Sequence, residues 1–246
     1  TRLQGDWSSD VCSSDLILWR ARDLLVDGRS KERALGMFDV EGREHLDEAL
    51  AQKKGCVLLT SHFGAHMLPA HWLYRQEYPL RLYMERPRNI SRFMSKHFGD
   101  DGELSQGKLF ISRRGDSTDA ASSILRAVRV LRSGMMLFLA GDVRWSGQLT
   151  AEARFMDRTY RFSTTWVALA AMSQAPVVPV FCRVDDEGRY QLEFQPSFQV
   201  PRNAQDEARA SVFSQRFLDL LEDQVRRHPA NSNEYLFWKP LEESAV

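Results

Sequence analysis

The chain has 246 residues, with 33 lysines and arginines balanced by 33 aspartates and glutamates and a pI near 7.0. Balanced charge excludes a chain dedicated to nucleic acid, and the longest apolar run, Trp166 to Met172, is far short of the roughly 20 residues a membrane-spanning helix needs. The length suits one α/β domain with a substantial core. Cys12, Cys56 and Cys182 share no metal-ligand or disulfide spacing, and the last two sit in apolar runs, which fits reduced, buried thiols.

Residues 1–16 stand apart. Ser8-Ser9-Asp10-Val11 and Ser13-Ser14-Asp15-Leu16 nearly repeat each other with no core pattern behind them, and the stretch resembles a translated sequencing-adapter remnant. The expected domain is 17–246, shortened at its N-terminus. A helical segment opens it. Phe38 to Gly42 ends in a turn, and Arg43 to Lys53 carries Leu46, Ala49 and Leu50 at helical spacing, closed by Gly55.

Cys56–Thr60 is a short apolar run between turn residues, the pattern of a strand buried on both faces. It delivers Ser61-His62-Phe63-Gly64 at its carboxyl end, where ligands bind in open α/β sheets. Imidazole there can take a proton from a hydroxyl, and Gly64 allows close backbone approach; the plainer alternative is a histidine that caps the next helix or bonds within the core. A helix over Met67–Tyr74 follows, with Pro69 in its first turn. Leu80–Met84 alternates as a second strand and leads into Glu85 to Lys96, where Arg86, Arg88, Arg92 and Lys96 face one acid, Glu85. Such a run is either a solvated helix face or a site for phosphate and anionic head groups.

Lys108–Ser112 reads as a third strand ending at Arg113-Arg114-Gly115. Ser117 caps a helix through Ala121, Ile124, Leu125, Val128 and Leu131, and Gly134 stops it. Met135–Ala140 is another buried strand, delivering Gly141-Asp142. Residues 143–161 read as a polar loop. A helix from Ser163 or Thr164 to Ser173 is apolar on nearly every side and hence buried. Pro176–Phe181 is a strand whose two prolines favour a sheet edge or a strand start. After the turn Asp185–Gly188, Tyr190–Phe194 alternates as a returning strand, and Asp206–His228 is an amphipathic helix before an aromatic tail of Tyr235, Phe237 and Trp238.

Alternating strands and helices give α/β, a single domain with a mainly parallel central sheet flanked by helices. A parallel sheet places His62, Arg113 or Arg114, and Asp142 on one edge. His62 and His66 are four apart with His71 nearby, but Phe63 stands where the zinc-protease pattern needs glutamate, so no metal is expected. No Gly-x-Ser-x-Gly elbow, Walker loop or dinucleotide fingerprint occurs.

Val40 to Leu50, Lys54 to Leu59, Ser61-His62-Phe63-Gly64, Glu85-Arg86-Pro87-Arg88-Asn89, Arg113-Arg114-Gly115, Gly134 to Asp142 and Ala175 to Val180 occur together in an order that resembles the bacterial lipid A biosynthesis acyltransferase family. The resemblance extends from the end of the atypical segment to the aromatic tail. It implies a glycerolipid-acyltransferase-like fold and direct transfer of a fatty acyl chain from a thioester, acyl-CoA or acyl carrier protein, to a hydroxyl of a lipid A precursor or similar glycolipid, with no cofactor. It also implies work at a membrane surface, on the cytoplasmic face of the bacterial inner membrane, peripheral or anchored by a missing N-terminal segment.

In that reading His62 is the base, and the family signature places an acid five positions after it. Met67 stands there, and a thioether cannot orient an imidazole. Either Asp142 or Glu85 takes the acid's place, or the chain is a non-catalytic lipid-binding relative. Backbone N–H groups around Gly64, or Arg113 or Arg114, would stabilise the oxyanion, and Arg86, Arg88 and Arg92 would hold donor or acceptor phosphates. His66 replaces the usual aromatic, and Lys239-Pro240 follows Trp238 where the family carries histidine and arginines.

Overall fold

The computed structural model describes residues 29–85, 108–111, 117–144, 148–204 and 206–232, with Val26 and Leu236. Labelled in chain order, the strands are β1 Phe38–Glu41, β2 Cys56–Thr60, β3 Leu80–Glu85, β4 Lys108–Ile111, β5 Met136–Ala140, β6 Thr150–Phe155, β7 Arg158–Ser163, β8 Val177–Val184 and β9 Tyr190–Phe194. The helices are α1 Lys31–Leu35, α2 Arg43–Ala51, α3 Leu68–Arg75, α4 Ser117–Arg132, α5 Thr165–Ser173 and α6 Glu207–Arg227, and Pro229–Asn231 forms a 3-10 turn.

Seven strands form one sheet in the order β1-β9-β8-β2-β5-β3-β4. The five from β8 to β4 are mutually parallel; β9 pairs antiparallel with β8, and β1 follows β9 in parallel. The mainly parallel α/β sheet expected from the alternation is therefore present. Because successive side chains point to opposite faces, β2 divides itself between two cores. Val57 and Leu59 pack with Leu137, Leu139, α5 and α6 on one side. Cys56 and Leu58 pack with Met136, Phe138, Leu46 and Leu73 on the other. Helix α5 is apolar all round because it is buried all round, with Trp166 to Ala171 all inside.

Three sequence expectations change. Phe38 to Gly42 does not simply end in a turn, because Phe38–Glu41 is the parallel edge strand β1, too short to show a period. Residues 143–161 are not a featureless loop. Thr150–Phe155 and Arg158–Ser163 form an antiparallel hairpin whose Ala151, Ala153, Phe155, Tyr160 and Phe162 are buried, while polar residues alternate outward. Its two-residue turn, Met156-Asp157, has φ of 49° and 63°, left-handed backbone usually supplied by Asn-Gly or Asp-Gly, so the ordinary hairpin signal is missing.

Third, of the two positions the prolines favoured, a strand start holds for Pro176, directly before β8, but a sheet edge does not, because β8 is internal with Pro179 inside it. Its pairing with β2 ends at Leu59↔Pro179, and its pairing with β9 begins at Val180↔Phe194. Pro179 sits where β8 changes neighbours, so its missing N–H leaves no gap in either ladder. Beyond Pro179 the strand has parted from β2, and the chain leaving β2 fills the opening.

Candidate functional site

Parallel registration dictates what meets at the carboxyl edge. Thr60 of β2 is paired with Ala140 of β5, so the residues two further along, His62 and Asp142, emerge side by side. His62 Nδ1 lies 2.8 Å from Asp142 Oδ1, and the His62 main-chain N–H donates to Asp142 Oδ2 at 2.8 Å. A carboxylate only accepts, so Nδ1 carries a proton, and in the neutral ring the lone pair is then on Nε2. The carboxylate is sealed at 0% exposure while the imidazole remains 24% exposed. Such a pair presents a basic nitrogen to a ligand and keeps its orienting acid out of water.

The loop after His62 is bent into the opening between β2 and β8. Gly64 adopts φ of +59°, its N–H donates to Asn231 O at 2.9 Å, and Ala65 N–H donates to Cys182 O at 2.7 Å. A Cβ on Gly64 would stand 2.2 Å from Cys182 O. Gly64 thus serves close approach of backbone to backbone. The expectation that N–H groups around Gly64 face an oxyanion is corrected for Gly64 itself: its donor, like those of His62 and Ala65, is already engaged within the protein. The helix read from Met67 begins at Leu68, and His66 lies in the loop before it.

The His66 ring lies 5.1 Å from that of His62, tilted by 46°. Burial, followed by the nearby His62 ring, pushes its pKa down from 6.5 to about 4. The unfolded chain takes up that proton at the higher pH, so folding stability is intact above about 6.5 and is lost as pH falls toward about 4. Urea midpoints measured across this window are expected to fall less steeply in His66→Gln than in the parent; equal slopes would remove His66 as the source. Cys56 is inert packing, its thiol pushed up to about 12 by burial.

Glu85 ends β3 and is level with Ile111 at the end of β4, on the same sheet edge. Its side chain, and Arg86, Arg88, Arg92, Arg113 and Arg114, lie outside the described residues. Among the described residues the sheet thus brings together His62 and Asp142 of the candidates. It also adds Asn231 and the Cys182 carbonyl, which the sequence did not flag because main-chain acceptors have no side-chain signature.

The model of the bacterial lipid A biosynthesis acyltransferases matches residues 23–238. The chain belongs to the bacterial lipid A biosynthesis acyltransferase family. The match spans all of the segments that carried the resemblance. No curated protein matches the chain. For a lipid A biosynthesis acyltransferase the activity class is acyl transfer, with an acyl donor and a lipid acceptor as substrates. In this acyltransferase the position five after His62, occupied by Met67, has no carboxylate, and the sealed acid bonded to the imidazole comes from β5.

Proposed function

We propose that the protein transfers a fatty acyl chain from an acyl thioester to a hydroxyl of a glycolipid such as a lipid A precursor, with His62 as general base. The observation that carries this is the 2.8 Å contact between His62 Nδ1 and the buried Asp142 carboxylate at the shared sheet edge. It favours an enzyme over a non-catalytic relative, because the acid that Met67 cannot supply is present from another strand.

In the reaction, Nε2 takes the acceptor hydroxyl proton as the oxygen attacks the thioester carbonyl. Asp142 holds the ring in the required tautomer and stabilises the imidazolium that forms. The tetrahedral intermediate collapses by expelling the thiolate of coenzyme A or the carrier protein, which recovers the proton from Nε2. Its oxyanion falls to Arg113 or Arg114 or to a loop N–H other than those of His62, Gly64 and Ala65, which are engaged within the protein, and Arg86, Arg88 and Arg92 bind donor or acceptor phosphates. No cofactor enters these steps. The test is transfer from radiolabelled acyl-CoA and acyl carrier protein to a panel of lipid A precursors, other glycolipids and lysophospholipids. Absence of product with every pair would overturn the reading.

The acceptor is a lipid, so we place the protein on the cytoplasmic face of the inner membrane. No helix among the described residues is long and apolar enough to cross a membrane. Attachment through basic and aromatic surface predicts flotation with anionic liposomes at low salt and release at high salt. Flotation indifferent to lipid charge would refute the electrostatic part.

A further inference from the structure

We infer that Asn231 is a positioning residue for the base, acting through Gly64; the inference rests on the acyl-transfer reading above. Asn231 ends the 3-10 turn that follows α6, and it grips two separate parts of the site edge. Its main-chain oxygen accepts the Gly64 N–H at 2.9 Å, two residues from His62. Its side chain pairs with Val184 as a strand neighbour would: Oδ1 accepts the Val184 N–H at 2.7 Å, and Nδ2 donates to the Val184 carbonyl at 3.0 Å.

The geometry explains why a clamp belongs at this point. After Pro179, β8 no longer has β2 beside it, and the Ser61–Ala65 loop must be fixed against β8 by other means. Ala65 N–H on Cys182 O supplies one attachment, and Asn231 supplies another, from the far end of the described chain. The side-chain amide fastens Asn231 to the last residue of β8, and that anchorage sets where its main-chain oxygen meets Gly64. The task needs a short side chain that donates and accepts at once. Aspartate would lose the donor and set a carboxylate against the Val184 carbonyl, and alanine would lose both bonds.

Asn231 therefore controls where the imidazole stands, while the dyad itself is made by β2 and β5. Displacing a base by a fraction of an ångström weakens the chemical step more than substrate binding. In the full-length chain, Asn231→Ala and Asn231→Asp are expected to lower kcat by about 10- to 100-fold. KM for donor and acceptor should stay within about twofold, since no binding contact is removed. Hydrogen exchange at the Gly64 amide should accelerate in both variants, and the His62 ring nitrogens should shift in NMR spectra. Asn231→Ser, which keeps an acceptor for Val184 N–H, should recover part of each loss and covers the case in which the harsher variants fold poorly.

Unchanged kcat in a folded variant would overturn the proposal, as would a rise in KM alone. Normal Gly64 exchange and an unmoved His62 spectrum in Asn231→Ala would do the same. Those two readouts decide the clamp even where no acceptor is acylated, an outcome that would instead refute the acyl-transfer reading.

Discussion

His62→Ala is expected to lower acyl transfer by about 1,000-fold or more, and Asp142→Asn by a comparable factor without loss of the fold. The asparagine case follows from the contacts of Asp142. Its two oxygens serve two donors, the His62 main-chain N–H and ring Nδ1–H, both at 2.8 Å. An amide has one oxygen. The main-chain N–H cannot reverse its role, so the oxygen stays with it and the NH2 group faces Nδ1. The ring must then carry its proton on Nε2, where it cannot accept one from a hydroxyl. Steady-state kinetics on the two single variants and the double variant should show that the double loses little more than either single, as members of one unit do. Near-normal kcat in Asp142→Asn beside a dead His62→Ala would transfer the acid's role to Glu85.

Gly64→Ala is expected to disable the enzyme by a different route. The left-handed conformation alone costs an L-residue about 1–2 kcal/mol. The added Cβ would also stand 2.2 Å from the Cys182 carbonyl oxygen, a backbone atom already holding Ala65 N–H. Neither side can yield without moving the loop, and His62 is two residues away. The expected result is a lowered Tm together with a loss of kcat of about 100-fold at temperatures where the variant remains folded. Gly188→Ala is the matched control. Its φ is +78°, yet nothing lies within 4 Å of its would-be Cβ, so it should lose some stability and keep its activity. Equal activity losses in the two variants would show that generalised softening, and not the Cys182 contact, is responsible.

The sequence made the strands that build the site legible because each is a short apolar run ending in a polar group. Cys56–Thr60 and Met136–Ala140 are both nearly or wholly buried in the sheet, as those runs imply. Asp142 and Glu85 could not be separated as partners of His62, because strand order depends on which faces and crossovers pack together and is not written in any one segment. The order places β5 directly beside β2, with β3 one strand further out, and this brings Asp142 to the imidazole. The hairpin at 150–163 escaped because Met156-Asp157 does not look like a tight turn. The internal position of β8 escaped because Pro179 normally signals an edge, and only the change of neighbours at that residue reconciles the two. Asn231 carried no signal of its own: a lone amide after a helix is ordinary until the strand it bridges is known.

The registration of β2 with β5 has a consequence for how the enzyme meets its substrates. His62 and Asp142 are each two residues past a backbone pair in adjacent strands, so their separation is set by the spacing of a hydrogen-bonded ladder. The His62–Asp142 pair is therefore assembled when the sheet forms, and no ligand has to draw it together. Binding energy from the acyl chain and the head group is left free for orienting carbonyl and hydroxyl at Nε2. On the acyl-transfer reading proposed above, a diffusing lipid that arrives in the correct pose meets a His62–Asp142 pair already in place.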